Sequence, residues 1–183
     1  MGDYYQTAVD LDADIQSAEA TALRLCDWMI SQEIIVGSQT DCVLGDYLGH
    51  APGKNYTLAA KEAYPPLFEL RTNGVAVIAK HSVFYSVGVG DIILVCAACG
   101  KRFGSNDSWS AAVENWQTGN GPSILPCERC GAAAPITEWQ HDPPWAFGNV
   151  GVEFWNWPSL REDFLNALGE VVGHRFRLVY GKI

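Results

Sequence analysis

Apolar residues recur at intervals of three and four from Ile15 onward. Ala18, Ala22, Leu25, Cys26 and Met29 share one helical face with it, while Arg24 and Asp27 fall on the far side and Glu19 at the margin. Asp12 and Asp14 precede this period, where a carboxylate can take up orphan amides, so the pattern predicts a helix over about 14–32. Short apolar runs at 4–11 and 33–36 flank it as strands, which gives β–α–β. Residues 37–66 carry glycine, proline and asparagine at many positions and no sustained period, so a loop is expected, with a short helix around 58–63. Asn73-Gly74 between the apolar runs 67–72 and 75–79 predicts a hairpin, because a type I′ turn needs positive φ at both central residues. Two further strands are expected at 83–87 and 91–95.

The end of the chain repeats the opening order. Residues 150–155 read as a strand, Ser159 and Glu162 have the spacing of a capping box, and Leu160, Phe164, Leu168 and Val171 mark the inner face of a helix. Gly173 supplies its stop, and 175–180 is a closing strand with Phe176, Leu178 and Tyr180 on one face. The fold class that follows is α+β: helices packed on a mostly antiparallel sheet, in a ferredoxin-like or a duplicated β–α–β arrangement. Residues 1–95 together with 139–183 form this unit, and 96–138 form an insertion.

Composition sharpens the picture in two ways. Hydrophobic residues make up 48% and charged residues 18% of the 183, enough apolar material for a sizeable core. The net charge of −9 repels polyanions, which disfavours nucleic acid and anionic membranes as partners. No basic-then-apolar leader opens the chain, and no apolar run approaches the ~18 residues of a membrane span. A cytoplasmic protein is expected, and in that reducing compartment clustered cysteines read as metal ligands.

Cys96-Ala-Ala-Cys99-Gly100 and Cys127-Glu-Arg-Cys130-Gly131 are two C-x2-C-G turns with 27 residues between them (100–126). Two residues between cysteines let both thiolates point at one ion, and the following glycine permits the positive φ that closes each turn. Four thiolates suit tetrahedral Zn2+ and leave no coordination position for water or substrate, so a structural site is expected. Iron in a rubredoxin-like site is the lesser alternative from ligand type alone. A redox C-x-x-C would leave the second pair unexplained, and Gly100-Lys101-Arg102-Phe103-Gly104 is a poor helix start. The turns resemble those of zinc ribbons. Ribbons place a hairpin between their knuckles, whereas 106–117 reads as a helix with Trp109, Val113 and Trp116 on one side. Lys101, Arg102 and Arg129 are balanced between Cys96 and Cys130 by Asp107, Glu114 and Glu128, so the insertion offers no phosphate-binding excess.

Trp139, Trp145, Phe147, Phe154, Trp155 and Trp157 crowd one stretch beside His141 and Asp142. Large aromatics usually pack a seam, here the insertion against the sheet. The sharper reading makes Trp139, His141, Asp142, Trp145, Trp155 and Trp157 a ligand or partner surface. Strand alternation would put Phe154 and Asn156 on one face, Trp155 and Trp157 on the other. His50, His81, His141 and His174 show no metal-binding spacing, and Cys26 and Cys42 read as buried small side chains. No phosphate-binding or nucleophile-elbow motif is present.

The run from Pro144 through Pro158, followed by Gly173-His174 and joined to the paired C-x2-C insert, resembles a family of uncharacterised bacterial proteins. Some members are labelled sugar-transporter ligand-binding. That label does not transfer, since such a protein needs an export signal and two large lobes. The resemblance implies a shared fold and metal module, with no residue-level activity. The expected function is non-catalytic binding of a protein or small-molecule ligand; an enzyme or small-ligand binder with a dispersed pocket near 139–157 is the alternative.

Overall fold

The computed structural model describes residues 2–88 and 90–183. In chain order the main unit contains β1 (Tyr4–Asp10), α1 (Ala18–Ser31), β2 (Ile35–Thr40), β3 (Gly49–Pro52) and β4 (Val75–Phe84). The insertion follows with β5 (Ile93–Val95), β6 (Arg102–Gly104), α2 (Asp107–Thr118), β7 (Ile124–Pro126), β8 (Ala133–Pro135) and β9 (Gln140–Asp142). The chain returns as β10 (Ala146–Trp155), α3 (Glu162–Val172) and β11 (Phe176–Lys182).

The class is α+β, with the six-stranded sheet ordered β11-β1-β10-β4-β3-β2 and every neighbouring pair antiparallel. After α1 and the β2–β3 hairpin, the chain reaches β4, which lies beyond β10 from β1. After β10, α3 leads to β11 on the other side of β1. Two split β–α–β units therefore interleave. The strand that directly follows α1, β2, lies at the far edge instead of beside β1, because its own hairpin partner carries it there.

Both helices bury their apolar stripes on one face. Ala18, Ala22, Leu25 and Met29 of α1 meet Phe164 and Leu168 of α3 over Ala8, Val75, Val150, Val152 and Phe154 of the sheet. Ile15 is instead 54% exposed, because the helix begins only at Ala18 after Asp14 Oδ1 has accepted the Ser17 amide in a separate turn. The opposite face is covered in part by Cys42, Val43 and Leu44, which pack on Tyr5, Ala76 and Trp155.

Three local expectations change. Asn73-Gly74 is no hairpin turn: residues Pro65–Glu69 form a 3-10 turn, and both the Asn73 and Gly74 amides donate to Cys42 O. Long-range pairing with the loop overrides the local turn signal. Ser159 does not cap α3; its carbonyl accepts from Lys61, and Arg161 takes the cap position. The short helix near 58 is a single 3-10 turn, Tyr56–Leu58. Gly173 does stop α3, with φ 83°.

Candidate functional site: a four-cysteine metal centre and a pocket on the sheet

Each cysteine pair sits at the tip of a hairpin. The β5–β6 hairpin carries the first, and β7–β8 the second. Their backbones match bond for bond. Cys96 N donates to Lys101 O and Gly100 N to Cys96 O, at 3.0 and 2.9 Å; Cys127 N donates to Ala132 O and Gly131 N to Cys127 O, at 2.8 and 2.9 Å. Gly100 and Gly131 have φ 68° and 70°, where a Cβ would be strained, which explains glycine after each pair. Between the hairpins lies α2, begun by Asn106, whose side chain accepts the Trp109 amide, and ended by left-handed Gly119.

The four sulfurs lie within 4.8 Å of one another. Cys96 Sγ is 3.9 Å from Cys130 Sγ, and Cys99 Sγ is 3.7 Å from Cys127 Sγ. A regular tetrahedron with metal–sulfur bonds of ~2.3 Å has edges of about 3.8 Å, so the donor set fits one cation held by all four. The amides of Cys130 and Arg129 aim at Cys127 and hold its thiol down to about 6. The Lys101 amide does the same for Cys99, but burial and the three neighbouring sulfurs prevail and push it up to about 11. Four adjacent thiolates repel one another unless a cation shares them. The arrangement can bind a metal ion.

The packed unit around the centre is wider than 96–138. β9 pairs with β5, and Ile92, Leu94, Trp139 and Phe147 join Trp109, Leu125 and Ile136 in one cluster. His81 is the hinge pin to the sheet. It lies at the register shift opposite Asn149, its ring stacks on Trp116 at 3.8 Å, and its nitrogens meet Asn149 Oδ1 and Trp116 O, both at 2.8 Å.

The aromatic stretch does not form one surface. Trp139 and His141 lie inside the module, His141 between Trp109 and Phe147. Burial, then the charge of Arg177, push His141 down to about 4. Asp142 pairs with Arg102 at the surface, and Trp145 packs between Tyr85 and Trp109. Trp155 and Trp157 part company, since Asn156 adopts φ 57° and breaks the alternation. Trp157 consequently joins Phe154 in the main core and donates to Asn73 O, while Trp155 turns to the opposite face.

On that opposite face, Trp155 borders a pocket of about 340 Å3 that also takes in Tyr5, Thr7, Tyr47, Tyr85 and Glu153. Glu153 was missed in the sequence although its signal is plain: one carboxylate inside Val150-Gly151-Val152-Glu153-Phe154-Trp155. A second unanticipated contact joins Cys26 and His50, with Sγ 3.5 Å from Nε2. His50 Nδ1 donates to Val36 O, so the single lone pair of Nε2 is shared between the Gln39 amide, 3.3 Å away, and the thiol. Burial, then Asp27, push the Cys26 thiol up, which keeps it a donor in this pair and not a thiolate.

Among the described residues no helix is long and apolar enough to cross a membrane. Comparison of the chain with protein-family models, with curated proteins and with solved structures finds no match.

Proposed function

We propose that this is a non-catalytic cytoplasmic binding protein whose frame depends on one structural Zn2+ held by Cys96, Cys99, Cys127 and Cys130. The observation that carries the reading is the closed set of four sulfurs at tetrahedral spacing. Protein ligands fill every position, so the ion organises the module and leaves no site for a reactant. The sulfur type and the geometry suit zinc; iron is the alternative with the same ligands. Elemental analysis of the purified chain tests this. About one zinc per chain is expected, and a red, iron-containing preparation would replace zinc by iron. A metal-free chain with an intact module would end the structural-metal reading.

What the frame presents is a binding surface for a protein or a small molecule. Burial of Trp139, Trp155 and Trp157 removes the flat aromatic patch that a protein partner would use. The pocket beside Trp155 favours a small molecule.

A further inference from the structure

We propose that the pocket on the sheet face opposite α1 and α3 binds a small organic cation, an alkylammonium group, with Glu153 as its counter-ion and tyrosine and tryptophan rings as its walls. The inference rests on the small-ligand reading above and is independent of the metal.

Strand geometry makes the pocket. Glu153 lies between Thr7 of β1 and Ala76 of β4 in the ladder, and Trp155 lies opposite Tyr5. Thr7 and Ala76, the two ladder neighbours of Glu153, are short, while the Phe84 ring lies over Gly151 and forms one side of the depression. Around the depression stand Tyr5, Tyr47, Tyr85 and Trp155. Tyr5 is fixed there: its hydroxyl donates to Tyr85 O at 2.7 Å and accepts from Val87 N at 3.2 Å.

The polar accounting of this pocket is unfinished. Glu153 accepts from Tyr47 Oη at 3.0 Å on Oε1 and from Thr7 Oγ1 at 3.2 Å on Oε2. Each oxygen has a further lone pair, and no lysine, arginine or histidine lines the pocket or pairs with Glu153 among the described residues. Trp155, only 4% exposed, directs its indole N–H toward Glu153 as a third, looser donor, so the carboxylate is surrounded by neutral donors and no cation. A partly buried carboxylate without a cation is costly when charged. An incoming ammonium would repay that cost, and the electron-rich ring faces would attract its methyl or methylene shell. A neutral or anionic ligand of the same size would not.

The test uses the whole, metal-loaded chain. Butylammonium, tetramethylammonium, 1-butanol and butyrate are titrated at neutral pH by calorimetry, with thermal shift in parallel. Saturable binding of at least one ammonium probe is expected, with butanol and butyrate at least about tenfold weaker. Glu153→Gln should lose about tenfold or more of the cation affinity. Should that variant fold poorly, the wild-type chain serves: cation affinity should fall as pH is lowered from neutral and Glu153 takes up its proton. Equal binding of butanol would reduce the pocket to an apolar cleft and overturn the cation assignment, leaving the small-ligand reading in place. Binding of none of the probes would overturn both. Cys127→Ser should abolish metal binding and spare the cation, whereas Glu153→Gln should do the reverse.

Discussion

The main sheet and the inserted module hold their shapes by different means. In the main unit two helices bury Leu25, Met29, Phe164 and Leu168 against Val75, Val150, Val152 and Phe154 in a layered core. The module has three short strand pairings, one helix and a smaller cluster around Trp109, Leu125, Ile136 and Trp139. Its two cysteine hairpins belong to different small sheets, so nothing in the backbone ladder ties them together. The four sulfurs do. A unit of this size falls below the range where a hydrophobic core alone suffices, and a metal ion on the four sulfurs would supply the difference.

The largest effect should therefore come from one sulfur. Cys127→Ser removes a ligand whose Sγ is 3.7 Å from that of Cys99 and should release the metal. In small zinc-finger peptides metal binding contributes roughly 10–16 kcal/mol at neutral pH, so the module should open. Hydrogen exchange should rise sharply across 96–138, while the circular dichroism of α1 and α3 persists. Collapse of all helical signal would show that the two regions are a single cooperative unit.

Leu25→Ala probes the other region. Leu25 is fully buried on the inner face of α1, and truncation of such a leucine costs about 2–5 kcal/mol. The main unit's denaturation midpoint should fall while the metal stoichiometry of the folded chain is unchanged. A matching loss of metal would mean that the seam through His81 and Trp116 transmits instability from sheet to module.

The same contrast decides what could be read from the sequence. The convergence of the four cysteines was legible because C-x2-C-G spacing is local, and Gly100 and Gly131 take the left-handed φ expected of them. The three helices were legible too, from periodicity and from the Gly173 stop. Sheet order was not, since β2 at the far edge depends on pairing with β3, and β3 on meeting β4 at His50 and Val75. Asn73-Gly74 misled for the same reason: its amides are claimed by Cys42, thirty-odd positions away in the chain. Asn156 ended the strand alternation one residue early, and with it the expectation that Trp155 and Trp157 share a face. Glu153 stood in view as a lone charge in an apolar strand, but its meaning required Thr7 and Tyr47 beside it.

Acid should separate the two regions most subtly, because burial shifts His141 of the module and Glu153 of the main sheet in opposite directions. Burial, with Arg177 nearby, lowers His141 from 6.5 to about 4. Between those values the unfolded chain binds the proton and the folded module does not, so module stability falls as pH drops from about 6.5. Burial raises Glu153 above 4.5, against the opposing bonds from Tyr47, Thr7 and Trp155. Its contribution is fully present below 4.5 and is lost as pH rises through the folded value, so the main unit should gain from mild acid. Thiolate protonation also releases metal in acid, and His141→Phe isolates the histidine's share. That variant should lessen the acid sensitivity of exchange in the module and leave the main unit's profile unchanged. Glu153→Gln should raise the midpoint of the main unit at neutral pH, with the gain shrinking toward pH 4.5. Profiles of the same sign for both regions would mean that burial at one of these groups is relieved by solvent, and that the two regions do not answer to acid separately.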